Sequence, residues 1–267
     1  MRSPIGRYAW IVVGFAAACV IVMELAVGFG QLNWGRYVGD DYRIYMDATT
    51  RWLDGGSYFL SRQLSGPYAL EMGDVMYPPV ALWLFLPFKF LPAALWWAIP
   101  VAVSAAAFWR LRPPAWAIAV SLLVFVYPKN LAFVFDGNPG MFFFAVLAAA
   151  AAWGTPASLA LFKPSLFPLA LFGIRTRVWW YGCATIVVLT LPFLPLTLTW
   201  LRVAFDTQGG GLTYSLIDAP AAAVPLLWWF GSSRRKATRP NPEAAARRSV
   251  PGLSPRAIRS PGSELND

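Results

Sequence analysis

Histidine is missing from the 267-residue chain, and cysteine occurs only twice. The lack of histidine excludes Ser-His-Asp triads, histidine metal sites and histidine general bases. Cys19 and Cys183 both lie inside apolar segments, so each is interpreted as a small buried hydrophobic residue. Chemistry that depends on a disulfide, a thiol nucleophile or an imidazole is therefore not expected.

Charge is also scarce, because only 13% of the residues are charged, against about 25% in ordinary soluble domains. Hydrophobic residues make up 58% of the chain, which contains 14 tryptophans. This composition predicts an all-α, polytopic membrane protein. The sequence shows no Walker-type phosphate loop, no metal-ligand cluster and no nucleophile elbow. It also shows no internal repeats, which disfavours a transporter.

The formal net charge of +9 is concentrated near the C-terminus. From Ser232 onward, eight Lys and Arg residues outnumber three acidic residues. This segment is rich in Pro, Ser, Ala and Arg and has almost nothing to bury, which predicts disorder. A basic segment after the last helix is typical of a cytoplasmic tail, and without a folded scaffold it does not predict nucleic-acid binding. We therefore predict a transmembrane domain at 1–231 and a basic disordered tail at 232–267.

Apolar runs separated by turn residues predict about eight transmembrane helices. The first, at 9–29, follows Arg2 and Arg7, which places the N-terminus in the cytoplasm. The remaining spans are 80–110 (one kinked helix or, as we prefer, two short ones), 115–127, 141–153, 156–175, 179–200 and 215–230. Eight helices return the tail to the cytoplasm but leave Arg110 and Arg112 outside, against the positive-inside rule. The topology between residues 80 and 175 therefore stays open.

A polar segment at 31–77 interrupts the apolar pattern and holds six of the 13 acidic residues. Within it, the run at 39–59 predicts an amphipathic helix that stops at Gly55-Gly56. Four of its residues share one face, namely Asp41, Tyr45, Ala48 and Trp52. We expect this helix to lie along the outer membrane surface, with a carboxylate in its first turn.

Asp40 and Asp41 are adjacent, which raises the question of a divalent cation. Neighbouring carboxylates on a helix point in different directions, so the pair does not by itself predict a metal site. Asp40 also falls off the face that carries Tyr45 and Trp52, so it ranks second to Asp41. No cofactor is expected.

Lys163 is followed by Pro164 inside a segment at membrane depth. A lysine there is unfavourable unless it meets an anion or a water-filled cavity. Proline also frees a backbone carbonyl on the preceding turn, which indicates a polar site. The pair favours a lysine that holds a phosphate, and the alternative is a snorkelling lysine beside a short helix.

A set of these residues, spread over about 35–175, resembles family 87 glycosyltransferases. These are polytopic enzymes of the C-type glycosyltransferase superfold and include bacterial mannosyltransferases that elongate phosphatidylinositol mannosides. The matching residues, in the order of the family, are Asp41-Tyr-Arg-Ile-Tyr45, Ala48, Leu53, Gly55-Gly56, Tyr58, Tyr77-Pro78-Pro79, Gly137-Asn138 and Lys163-Pro164.

The resemblance implies an inverting transfer of a sugar, with mannose as the implied sugar, from a polyprenyl phosphate to an acceptor hydroxyl of a lipid or glycan. The reaction would take place at the outer face of the cell membrane. Asp41 matches the general base of the family, and Asp40 is its competitor. Lys163 suits stabilisation of the departing phosphate, with Lys129 as a weaker candidate.

The candidates for the sugar pocket are Tyr45, Trp52, Tyr77 and Asn138, although the aromatic residues could instead be membrane-interface anchors. Family members are usually longer than this chain, with further helices and a further outer loop. A non-catalytic membrane scaffold or partner subunit derived from such an enzyme is therefore the alternative function.

Overall fold

The computed structural model of the protein describes residues 4–31, 38–208 and 219–237. Most of the regular structure in these residues is helical, which confirms the all-α prediction. The α-helices are α1 Pro4–Gln31, α2 Asp40–Leu53, α3 Ser61–Leu64, α4 Leu82–Phe85, α5 Ala94–Leu111, α6 Ala115–Val126, α7 Pro128–Phe135, α8 Gly140–Trp153, α9 Phe167–Ala170, α10 Arg177–Thr190, α11 Leu194–Asp206 and α12 Ala219–Ala237. Two short strands, β1 (Tyr68–Ala69) and β2 (Thr207–Gln208), pair in parallel.

Several helices have the apolar composition of membrane spans. In the described residues, the runs Ala94–Leu111 and Arg177–Asp206 are long and apolar enough to cross a membrane. The pair α6 and α7 would add a third, although these helices are bent by 83° at their junction. Shorter apolar helices occupy Tyr8–Glu24, Pro79–Lys89 and Gly140–Trp153. These helices support the prediction of membrane spans, whereas the count of about eight stays a prediction.

Two of the segments assigned to spans are not continuous helices. Pro79–Ala81 and Leu86–Lys89 are 3₁₀ turns that flank α4, so the preferred pair of short helices at 80–110 is replaced by this broken segment and the single helix α5. Proline explains the break, because it lacks a backbone donor and clashes with the preceding turn. The 156–175 segment contains the 3₁₀ helix Ala157–Phe162 and, after Lys163, the turn Pro164–Leu166.

Helices α5 and α8 lie side by side and run in the same direction. Near the start of α5, Trp96 Nε1 donates to the carbonyl of Gly137, just before α8 begins, at 2.7 Å. Near its end, Arg110 Nε donates to the carbonyl of Ala152 at 2.7 Å. These two contacts define an Asn138 end and an Arg110 end of the α5–α8 pair, because Asn138 and Arg110 lie at its opposite extremes.

The loop between α2 and the 3₁₀ turn at 79–81 folds around a buried glutamine. Gln63 Oε1 accepts from the backbone N–H groups of Leu60 and Val75, each at 3.2 Å. Its Nε2 donates to the hydroxyl of Tyr68 at 3.3 Å, and Thr207 Oγ1 donates to the same hydroxyl at 2.8 Å. This network fixes the loop against the end of α11.

An ion-pair group closes the same loop. Arg62 contacts Asp74 Oδ1 at 2.9 Å and Glu71 Oε2 at 2.9 Å. The Asp74 side chain is 1% exposed, whereas that of Glu71 is 67% exposed. Arg62 therefore neutralises one buried carboxylate and one that water already solvates.

The described residues up to Ser232 belong to one compact unit. Helix α12 continues to Ala237, past the boundary predicted at residue 231. The prediction of a disordered tail falls mainly on 238–267, which lie outside the described residues, so it stays a prediction.

Candidate active site

Helix α2 positions the predicted carboxylate. The helix covers Asp40–Leu53, and the chain leaves it before Gly55, as the sequence predicted. Tyr45 and Ala48, on the predicted face, are 5% and 0% exposed. This face therefore packs into the protein interior, so Tyr45 is a core residue and not a membrane-interface anchor, whereas the position of the helix along the outer membrane surface stays a prediction. Packing of that face brings the half-buried Asp41 to the turn before α8.

The start of α2 is fastened to the turn that joins α7 to α8. The Gly39 N–H donates to the Phe135 carbonyl at 2.9 Å, and the Tyr42 N–H donates to the Asp136 carbonyl at 3.2 Å. Two early donors of the helix, which an isolated helix leaves unpaired, are thus used to hold this turn. The contact sets the Asp41 carboxylate beside Asn138.

The turn itself is shaped by Gly137 and two tryptophans. Gly137 has φ +68°, and a Cβ there would lie 2.7 Å from Trp97 Cζ2. Trp96 Nε1 donates to the Gly137 carbonyl at 2.7 Å, and Trp97 Nε1 donates to the Val134 carbonyl at 2.8 Å. Glycine is required here because both the backbone angle and the space exclude a side chain. The tryptophans hold the turn in place for the residue that follows.

Asn138 links three groups through its side-chain amide. Its Nδ2 donates to Asp41 Oδ2 at 2.6 Å. Its Oδ1 accepts from the Gly140 N–H at 2.8 Å and from the Tyr77 hydroxyl at 3.4 Å. The bond to Gly140 fixes the orientation of the amide, so its N–H points at the carboxylate. A carboxylate held in this way is pre-oriented to accept a proton.

Tyr45 and Tyr77 form an aromatic wall next to this amide. Their rings meet edge to face with centroids 5.0 Å apart, and Tyr45 stacks on Phe85 at the same distance of 5.0 Å. Tyr77 also stacks on Phe143 of α8 at 5.8 Å. The two tyrosines are 5% and 2% exposed, so both are packed within the core.

Lys163 reaches the same place from a distant part of the chain. Its Nζ lies 5.6 Å from the centroid of the Tyr77 ring, and the residue is 2% exposed. A cation over an aromatic face is attracted by the negative face of the ring. A buried ammonium also favours an anionic or polar neighbour, because burial removes the water that solvated it. We call Asp41, Tyr45, Tyr77, Asn138 and Lys163 the Asp41 cluster.

Asp40 points elsewhere. Its carboxylate forms an ion pair with Arg43, one turn along α2. The two adjacent carboxylates therefore have different partners, in agreement with the ranking of Asp41 above Asp40. In the described residues, no group of three Cys, Asp or Glu side chains is arranged to hold a metal ion.

Asp136 is a residue of the site that sequence reasoning did not select. The pKa of its carboxyl is raised from an ordinary 3.8 to about 6, first by burial and then by the negative charges of Asp41 and Asp40. Its backbone carbonyl accepts from the Tyr42 N–H, so Asp136 lies beside the first turn of α2, which carries Asp41. The sequence offered one signal, an aspartate directly before the Gly137-Asn138 turn.

Two other predicted site residues lie away from the Asp41 cluster. Trp52 packs against Phe193, with ring centroids 5.6 Å apart. It lies 11 residues after Asp41 on α2, which is about 16 Å along the helix axis. Lys129 is exposed in the first turn of α7, while the site meets the other end of that helix. The structure thus unites Asp41, Tyr45, Tyr77, Asn138 and Lys163 and leaves Trp52 and Lys129 apart.

No family model matches the chain, and neither a curated protein nor a solved structure does so. The functional conclusion therefore depends on the geometry of these side chains.

Proposed function

We propose that this chain is a multi-pass membrane glycosyltransferase that passes a sugar from a polyprenyl-phosphate donor to a hydroxyl of a lipid or glycan acceptor, with inversion. The observation that supports it is the Asp41 cluster, in which a carboxylate oriented by Asn138 and a buried lysine share one tyrosine, Tyr77. A transferase of this kind needs a base for the acceptor and a cation for the leaving phosphate.

The proposed step uses Asp41 as the general base. Asp41 takes the proton of the acceptor hydroxyl while the acceptor oxygen bonds to the anomeric carbon of the sugar. The bond between that carbon and the phosphate oxygen breaks, and its electron pair leaves with the polyprenyl phosphate. Asn138 donates to one carboxylate oxygen, Oδ2, at 2.6 Å, and this bond orients the carboxylate that takes the proton.

Lys163 would stabilise the phosphate as its charge develops. A charge-assisted contact from an ammonium is stronger in a site that excludes water, and Lys163 is 2% exposed. Tyr45 and Tyr77 would form one wall of the sugar pocket. We take mannose as the sugar, from the resemblance to family 87 glycosyltransferases.

We place the protein in the plasma membrane with the Asp41 cluster towards the outer face and both termini in the cytoplasm. The polar loop that follows α2, with its Gln63 and Arg62 networks, would then lie outside, and the basic tail inside. The partners are the lipid-linked donor, the acceptor and the bilayer.

Transfer of radiolabelled mannose from polyprenyl-phosphate mannose tests this proposal in membranes that contain the full chain. We expect the wild type to label a lipid or glycan, and Asp41→Asn and Lys163→Met each to reduce labelling by a hundredfold or more. Matched controls are Asp47→Asn, an exposed acid on the same helix, and Lys129→Met, an exposed lysine. Both controls should label like the wild type.

Two results would contradict the proposal in different ways. If Asp40→Asn is inactive and Asp41→Asn is active, the base is misassigned. If the wild type transfers nothing across a panel of sugars and lipid acceptors, the alternative of a non-catalytic scaffold or partner subunit replaces the enzyme.

A further inference from the structure

The segment that carries Lys163 begins and ends at the same level of the protein. Ser158 Oγ donates to the Trp179 carbonyl at 2.7 Å, and Trp179 Nε1 donates to the Ala170 carbonyl at 2.6 Å. Trp179 lies in the first turn of α10 and thus joins the two limbs of the segment, Ala157–Phe162 and residues 164–170. Between these limbs the chain turns back at Lys163.

This shared level is the Arg110 end. Helix α8 runs from Gly140, beside Asn138, to Trp153, where Arg110 binds the Ala152 carbonyl. Its 14 residues span about 20 Å, and the hairpin starts only a few residues after its end. The six-residue 3₁₀ limb then runs about 12 Å back towards the Asn138 end, at a rise of about 2.0 Å per residue.

This limb brings Lys163 to the Asp41 cluster. The Tyr77 ring lies under Lys163 Nζ and stacks on Phe143 in the first turn of α8, near the Asn138 end. Lys163 therefore lies at the tip of the hairpin, most of the way back along α8. Each limb is far shorter than α8, and the first packs beside it, so neither limb can cross where α8 does.

Irregular backbone at membrane depth is tolerated only where protein surrounds it. The hairpin meets this condition, because its interior positions are buried. These are Ala157, Ser158, Ala160, Lys163, Ser165, Leu166 and Ala170.

The arginines supply the orientation. Arg110 lies in the last turn of α5 and Arg112 directly follows it, while Arg175 lies at the end of the hairpin and Arg177 begins α10. All four therefore lie at the Arg110 end. Under the positive-inside rule this end faces the cytoplasm. The sequence alone places Arg110 and Arg112 outside because 80–110 then counts as two crossings, whereas the structure has the single long helix α5 there. Counting 156–175 as a hairpin instead of a crossing then returns the tail to the cytoplasm.

We infer that residues 156–176 form a re-entrant hairpin that enters from the cytoplasmic face, lifts Lys163 to the Asp41 cluster near the outer face, and returns to the cytoplasm. The chain then crosses six times, through α1, α5, α6, α8, the α10–α11 run and α12. This membrane topology does not depend on the proposed transferase activity.

Cysteine labelling measures the course of the hairpin directly. Cys19 and Cys183 are first replaced by alanine, and single cysteines are then introduced as Thr155→Cys, Ile174→Cys and, in the outer loop, Met72→Cys, all exposed positions. With a membrane-impermeant maleimide, Met72→Cys should label in intact cells. Thr155→Cys and Ile174→Cys should both label only after permeabilisation. If Thr155→Cys does not elute as a folded peak in size-exclusion chromatography, the exposed Trp153→Cys takes its place.

Labelling of 155 and 174 from opposite sides would overturn the hairpin, because a full crossing must separate them. Labelling of both in intact cells, with Met72→Cys protected, would overturn the orientation. Either result can be read without any transferase activity, so failure of this inference is distinguishable from failure of the proposed function.

The inference also assigns a positioning role to Gly182, and this part rests on the proposed function. A Cβ at Gly182 would collide with Ser158 Oγ and would lie 2.6 Å from Pro156 Cβ, so α10 packs directly on the base of the hairpin.

Gly182→Ala should move Lys163 and lower kcat/KM for the polyprenyl-phosphate donor on the order of tenfold to a hundredfold, with the acceptor KM unchanged. Ala184→Val, on the exposed side of α10, is the control and should have no effect. Equal changes for donor and acceptor would indicate a general structural defect and would contradict the positioning role.

Discussion

Asn138 Nδ2 donates to Asp41 Oδ2 at 2.6 Å, across a sequence separation of 97 residues. The bond joins the start of α2 to the turn before α8. It also brings the carboxylate to the tyrosine that contacts Lys163.

Replacement of Asn138 tests the orientation of the carboxylate. Asn138→Leu keeps a similar size but removes both the donor to Asp41 and the acceptor for the Gly140 N–H. Loss of a hydrogen bond to a charged group amounts to about 1.5–3 kcal/mol, so we expect about a tenfold to hundredfold fall in sugar transfer. Mannose transfer in membranes is the measurement. Wild-type turnover in Asn138→Leu would show that Asp41 needs no partner at this oxygen.

The shape of the turn can be tested with two glycines that share a left-handed backbone. Gly137 has φ +68°, with Trp97 and Tyr42 in the way of a Cβ, whereas Gly154 has φ +74° and no atom within 4 Å of that position. Gly154→Ala should lower the free energy of unfolding by about 1–2 kcal/mol, because alanine disfavours this backbone angle. Gly137→Ala should lower it by more, because the new Cβ also clashes with its neighbours.

Chemical unfolding in detergent, with both variants and the wild type side by side, measures the difference. Equal losses of unfolding free energy in the two variants would show that the Trp97 contact relaxes without penalty.

Asp136 predicts a pH dependence of stability. Its pKa is raised to about 6 in the folded protein, so between pH 3.8 and 6 the folded state binds more protons than the unfolded state at this residue. The contribution of Asp136 to stability is therefore favourable at low pH and is lost as the pH rises through about 6. We expect Asp136→Asn to raise the Tm at pH 7.5 and to have little effect near pH 4.

The measurement is the Tm of wild type and Asp136→Asn across this pH range, with Asp47→Asn as the exposed control. The other charges around Asp136 are Asp41, Asp40 and the arginine paired with Asp40, Arg43, and they are common to all three proteins. A constant Tm difference between wild type and Asp136→Asn at every pH would contradict the linkage.

The ion pairs of Arg62 should differ sharply in energy. Asp74 is buried and also accepts the Glu71 N–H at 2.8 Å, so Arg62→Gln leaves an uncompensated buried carboxylate and should cost about 3–5 kcal/mol. Glu71→Gln removes only the exposed pair and should cost about 0–1 kcal/mol. Thermal unfolding and limited proteolysis of the loop at 54–78 are the measurements. A large loss in Glu71→Gln would contradict the assignment of burial.

Local patterns in the sequence determined the helices and much of the candidate site. The spacing of Asp41, Tyr45 and Ala48 and the stop at Gly55-Gly56 identified helix α2 and the residues that share one of its faces, because helix periodicity and glycine punctuation depend on neighbours in the chain. The unusual lysine before Pro164 pointed to a polar site, since a cation among apolar residues requires a partner.

Only the tertiary structure decided where these pieces meet. Asp136 comes next to Asp41 because the turn at Gly137 is bonded to the start of α2 and is held by Trp96 and Trp97 of α5. The two limbs on either side of Lys163 have the composition of one apolar span, since composition does not record where the chain reverses. Their reversal depends on contacts with Trp179 and Gly182, more than a dozen residues away, and such distant packing has no periodic signature in the sequence.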